Sequence, residues 1–296
     1  MELRHDTRTV YLVTTDKRAG AITTWQASVP WPVAQRQSRM VSVPNPEAGG
    51  EGGGSDGGSV VAPAPEVPPP PAVVTCLDAA ISAALLYCWG LDEASGNRLD
   101  HVASLPLIGT VGAGVPGKNG LALAFAGSDQ MTAVMPAGLF DTHPAGCTLS
   151  CWFRLESYNG TNQMLVCKGA SSSAGQYDYL IEIAHSPPRL VLAFGGGAGG
   201  VIESSYPLAL DTWYLLIVTY GVGAPTAYLY TEAGLVEATS SGGAPQANAS
   251  PANFRLGAHG GSVGEAFFGR IDSVIIWQRV LSSADRAFVW NNGVGL

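Results

Sequence analysis

The sequence predicts an all-β protein: one large β-sandwich preceded by a short β-arm and a Gly/Pro-rich tether. Three observations carry this reading. Short strand signals recur through the later part of the chain between Gly-rich or Pro-containing loops such as 195–200 and 240–251, the pattern of a two-sheet sandwich. The 296 residues include 38 Gly and 20 Pro, which favours turns over long helices. Hydrophobic residues make up 46% and charged residues 13%, ample material for two packed sheets and too little charge for a disordered chain.

The arm spans residues 1–46. Residues 7–14 (Thr-Arg-Thr-Val-Tyr-Leu-Val-Thr) are rich in β-branched and aromatic types, and Ala21 to Trp25 repeats the pattern after a turn-like Asp16-Lys17-Arg18-Ala19-Gly20, so a hairpin is expected. Pro30, Pro32, Pro44 and Pro46 keep the rest extended and out of any central strand. A lone two-stranded sheet is marginal in water, so the arm requires a partner surface and reads as an assembly anchor. Residues 47–72 follow as a linker, Gly-rich and flexible in its first half, Pro-rich and stiff in its second. The sandwich occupies 73–296, with residues 77–84 as a helical or extended lead-in packed on it. Trp213 to Tyr220 is apolar at nearly every position and is expected to be a central strand covered on both faces. Ser282 and Asp285 stand at capping-box spacing, which predicts one short helix over 282–290.

The net charge of −8 is uneven: residues 1–46 carry +3, 47–72 carry −4 and the remainder −7. Six dispersed Lys/Arg in the arm are too dilute for a nucleic-acid reading, and docking against an acidic protein surface fits them at least as well. The start, Met1-Glu2-Leu3-Arg4-His5-Asp6, has no apolar core of a signal peptide, so export by the usual route is not expected. The longest apolar run, 73–91, is interrupted by Asp78, and no membrane span is expected. The five cysteines (Cys76, Cys88, Cys147, Cys151, Cys167) cannot all pair within one chain. They are expected to be small apolar core residues in a reducing compartment.

Residues 267–282 join a Gly turn, an aliphatic strand and a helix start. With Leu86 to Glu93, Gly120 to Ser128, Cys147 to Phe153, Val166 to Gly169, Leu210 to Tyr220, Ala227 to Tyr230 and Phe254 to Gly257, they resemble, in the same order, the laminin-G-like domains of the concanavalin-A-like lectin/glucanase jelly rolls, over roughly residues 84–296. The resemblance implies that fold, and it makes Cys151 and Cys167 a candidate disulfide on neighbouring strands. It also implies a calcium site, through Asp100, carbonyls of the Phe125 to Gly127 turn, and Asp272. Oxygen ligands on loops suit that ion, although Ala126 stands where the family often has Asp. The alternative is that Asp272 caps a strand end by accepting backbone N–H bonds.

Catalytic patterns are absent from the sequence. No Glu-x-Asp-x-Glu strand occurs, and Asp178 with Glu182 would lie roughly 13 Å apart along a strand, too far for retaining glycoside hydrolysis at about 5 Å. Both are expected to face solvent. There is no nucleophile elbow, no His-x-x-x-His pair and no phosphate loop. For sugar binding, the loop Tyr158 to Gln163 supplies candidates Tyr158, Asn159 and Asn162, with Tyr177 and His259 as neighbours. Trp89, Trp152, Trp213 and Trp277 sit inside strand motifs and are expected in the core.

Together these features predict a non-enzymatic structural or adhesive protein, a phage virion component of decoration or fibre type. Residues 1–46 would anchor it to capsid or tail proteins, and a lectin-like domain would face cell-surface glycan, with homo-oligomerisation compatible. The alternatives are a bacterial cell-surface carbohydrate-binding module and, third, a glycoside hydrolase.

Overall fold

The computed structural model describes residues 7–16, 21–30, 76–111, 114–135, 146–169, 177–195, 200–221, 223–241, 253–259 and 265–295. The chain divides into two units, Met1–Val67 and Pro68–Leu296. In the first, β1 (Thr7–Asp16) and β2 (Ala21–Pro30) pair antiparallel, Thr7 opposite Pro30 and Asp16 opposite Ala21. The expected hairpin forms, with both strands longer than the sequence signal. Pro30 ends β2, consistent with a residue that cannot donate to a ladder. The tether expected at 47–72 lies outside the described residues, as do 31–46.

The second unit consists of two antiparallel sheets. One runs, in spatial order, β12 (Val201–Glu203), β11 (Pro188–Phe194), β10 (Tyr177–His185), β9 (Gln163–Gly169), β16 (Phe254–Leu256), β7 (Met131–Ala133) and β4 (Ile108–Gly109). The other runs β15 (Gly234–Ser240), β14 (Thr226–Thr231), β13 (Trp213–Tyr220), β8 (Cys147–Leu155), β17 (Phe268–Trp277), β6 (Leu121–Ala126) and β5 (Val115–Pro116), with β3 (Leu85–Trp89) added on β17. Alternating side chains of both sheets meet in one apolar core. Tyr179, Ile181 and Ile183 of β10 face Tyr214, Leu216 and Val218 of β13 across it. Trp89 stacks on Phe254 across the same gap, ring centres 5.5 Å apart.

A second apolar cluster lies on the outer face of the larger sheet. Leu215 and Ile217, the alternate residues of β13, join Trp152, Ile275 and Trp277 there, which is why β13 is apolar at consecutive positions. Two segments cover this cluster. One is the lead-in, where Asp78 accepts the N–H groups of Ile81 and Ser82 in successive turns and the Trp277 indole donates to Ile81 O at 2.8 Å. The other is α1 (Ser283–Trp290), started by the predicted capping box: Asp285 N–H donates to Ser282 Oγ and Ser282 N–H to the Asp285 carboxylate. Arg279 adds two bonds to that carboxylate and holds it well below the usual range. Asn291 ends the helix in the left-handed conformation. Among the described residues, no helix is long and apolar enough to cross a membrane.

Three expectations are corrected. Cys76 and Cys88 form a disulfide that ties the lead-in to β3, while Cys147, Cys151 and Cys167 are buried and outside any disulfide. The pair Cys151 and Cys167 cannot bond along a sheet, since β8 and β9 belong to different sheets. Trp213, placed in the core with Trp89, Trp152 and Trp277, is half-buried at the open start of β13. Asp178, expected to face solvent, is wholly buried against Lys168, because a register shift in β10 places it at a bulge.

Candidate functional site

With the outer face of the larger sheet covered, the outer face of the seven-stranded sheet is where described side chains with chemistry gather. Alternation along β10 sends Leu180 and Glu182 away from the core that holds Tyr179, Ile181 and Ile183. Leu180 joins a small buried cluster with Met164, Cys167 and Tyr177. Glu182 begins the polar part.

Asn162, in the loop before β9, donates from Nδ2 to Glu182 Oε1 at 2.9 Å, and its Oδ1 lies 3.2 Å from Nδ1 of exposed His185. His259, just beyond β16, pairs through Nε2 with Glu265 Oε2 at 2.5 Å. Burial raises the Glu182 carboxyl above its usual range and the negative Glu265 raises it further, while the Asn162 bond and His259 act against both. Carboxylate, amide and imidazole groups from three separate segments therefore converge, the donor and acceptor types that hold sugar hydroxyls.

Of the residues the sequence singled out for sugar binding, Asn162, Tyr177 and His259 come together around Glu182, but not all in the role expected. Tyr177 is 5% exposed and offers no ring for stacking. Burial raises its phenol, and the charge of Glu182 raises it further. His259 is also only 5% exposed and supports the cluster from beneath through Glu265. Tyr158 is 37% exposed, yet its hydroxyl donates to Leu208 O at 2.8 Å. Asn159 Oδ1 accepts from Thr161 N and Thr161 Oγ1 at 3.1 and 2.9 Å and closes a turn. Sequence reading missed the roles of Glu182, His185 and Glu265. Glu182 between Ile181 and Ile183 was a legible sign of an acid on an outward strand face, but nothing local connects it with Glu265.

Asp100 and Asp272 are held by different segments. Asp100 accepts four backbone N–H groups, from Cys88, Val102, Ala103 and Leu105, at 2.6 to 3.3 Å. Asp272 Oδ2 accepts Asn119 N–H at 2.9 Å and its Oδ1 accepts the Ser273 hydroxyl at 3.2 Å. Burial raises its carboxyl to about 7, with the charge of Asp92 adding to the rise. Asp92 in turn accepts Leu121 N–H at 2.8 Å, and Gly120 at φ +79° leaves room for it where a Cβ would fall 2.0 Å from Asp92 Oδ1. The N–H groups around Asp100 present positive ends to both its oxygens, so this donor set does not fit a cation shared with Asp272. Among the described residues, no three His, Cys, Asp or Glu side chains are grouped to hold a metal ion.

Comparison with known proteins agrees with this architecture. No curated protein sequence matches the chain. Domain 4 of AbnA, a GH43 extracellular arabinanase from Geobacillus stearothermophilus solved in complex with arabinotriose, is similar at 16% identity and TM-score 0.50, over 72% of this chain and 98% of that one. A mutant of Trypanosoma rangeli sialidase displaying trans-sialidase activity matches at 14% identity and TM-score 0.53, over 75% of this chain and 36% of the sialidase. The binding domain of botulinum neurotoxin serotype D matches at 11% and TM-score 0.52, over 71% and 52%. The chain thus spans about a third of the sialidases it matches, and identities this low establish the fold alone. A family profile described as the concanavalin A-like lectin/glucanases superfamily matches residues 125–285. With more than half of its length matched, the chain belongs to the concanavalin A-like lectin/glucanase superfamily.

Proposed function

We propose that this protein is a non-enzymatic carbohydrate-binding display protein whose site is the Asn162, Glu182 and His185 array, with His259 and Glu265 behind it. The observation that carries the reading is the bond from Asn162 to Glu182, which aligns an amide and a carboxylate on a sheet face. An arabinotriose complex of a similarly folded domain supports it. Phage virion display, with residues 1–46 anchored in capsid or tail proteins, is the setting that suits a hairpin arm followed by a Gly/Pro tether. A bacterial cell surface is the alternative. The Cys76–Cys88 disulfide favours a site of action outside a reducing cytoplasm.

One observation favours hydrolysis as a second reading: a carboxyl raised by burial and by a neighbouring carboxylate is how a glycosidase prepares its acid. A panel of immobilised glycans, read for both retention and released product, separates the two. Retention of a glycan by the wild type, its loss on Asn162→Ala and Glu182→Gln, and no product is the expected result. A panel on which the wild type retains nothing, or on which both variants bind as well as it does, removes this face as the site.

A further inference from the structure

Lys168 is next to last in β9 and Asp178 is second in β10. Both side chains are wholly excluded from solvent, and Lys168 Nζ is in direct contact with Asp178 Oδ2. A bulge builds this contact. The register steps from Tyr177 opposite Gly169 to Tyr179 opposite Lys168, so Asp178 is the extra residue, and such a position re-aims its side chain. On its other edge Lys168 is opposite Phe254 of β16. Lys168 is thus flanked along the ladder by Tyr179 and Phe254, both part of the main core.

In these surroundings desolvation of two ions opposes their attraction. The contacting ion pair differs from a neutral amine facing a carboxylic acid by a single proton passed from Lys168 Nζ to Asp178 Oδ2, the atoms already in contact. Fixed contact replaces a bimolecular encounter, which for well-oriented groups corresponds to effective concentrations of roughly 10⁵–10⁸ M. Exclusion from solvent also keeps water from reversing an amide once it has formed.

We propose that Lys168 and Asp178 condense into an intramolecular isopeptide bond joining β9 to β10. The Nζ lone pair adds to Asp178 Cγ, and the tetrahedral adduct expels the carboxyl hydroxyl, which leaves with one Nζ proton as water. One C–N bond forms, one C–O bond breaks, and no oxidant or reductant takes part. The bond closes residues 168–178 into a covalent ring at the root of the strand that carries Glu182. Such a link suits a domain that bears load between an anchor and a bound surface, a use that rests on the display reading, whereas the bond itself does not.

The test is the mass of the intact, reduced protein in denaturant. Wild type is expected to be lighter than its sequence by one water, and protease digestion should release a branched peptide joining Lys168 to Asp178. Lys168→Arg keeps the charge but cannot close the amide, and should have its full translated mass. Asp178→Asn expels ammonia instead of water and should reach the same final mass as wild type. Wild type at its full translated mass, or a water loss mapped to other residues, overturns the proposal. Because wild type alone decides it, a variant that fails to fold does not protect the idea.

Discussion

Asn162 Nδ2 donates to Glu182 Oε1 at 2.9 Å, joining the loop before β9 to the outward face of β10. The bond orients a carboxyl that burial and Glu265 both push toward its protonated form. Because the folded value is raised, wild type loses stability as pH rises through it, a loss that Glu182→Gln avoids while keeping an acceptor for Asn162. Glu182→Gln is therefore expected to melt above wild type at pH 8 and level with it at pH 3. Equal melting at both pH values would show that Glu182 ionises freely in the folded protein.

Asp272 gives a larger effect of the same sign. Its carboxyl is raised to about 7 from 3.8 and is wholly buried. At low pH both states are protonated; between about 4 and 7 the unfolded chain releases its proton while the folded one retains it, so stability falls on the order of 4 kcal/mol across that window. Asp272→Asn keeps an acceptor for Asn119 N–H and is expected to be the more stable protein at neutral pH, with a flattened pH profile. A destabilised variant, together with a wild type whose melting temperature rises with added Ca²⁺, would identify a cation as the partner of Asp272.

The two cores make different demands on tryptophan. Trp277 is fully buried with its indole bonded to Ile81 O, so Trp277→Ala is expected to destabilise by about 3–5 kcal/mol. Trp213→Ala, at a half-buried strand start, is expected to do less than half of that. Denaturant midpoints that reverse the order would contradict the placement of these strands.

Under the display role proposed above, deleting residues 1–46 is expected to leave a folded sandwich that no longer joins a virion, because the second unit has its own core whereas a two-stranded sheet has none. Sedimentation of the truncated protein with its particle at full occupancy would place the anchor elsewhere.

What the sequence determined by itself was local or periodic. The 282–290 helix was legible because Ser282 and Asp285 carry its start signal. The β13 strand was legible because an apolar run of that length suits a strand covered on both sides, and the β1–β2 hairpin because its turn residues separate two β-branched runs. Asn162, Tyr177 and His259 were marked by residue type alone. Tertiary structure decided what depends on register and on contacts between distant residues. A one-residue bulge turned Asp178 from solvent toward Lys168. The pairing of β3 with β17 left Cys88 beside the lead-in and bonded to Cys76 rather than joining Cys151 to Cys167. The fold also brought Glu265 to Glu182 and His259, and gave both oxygens of Asp100 backbone N–H groups as partners. Side-chain direction inverts with each step along a strand, so composition can name the members of such a site but only the assembled sheets can bring them together.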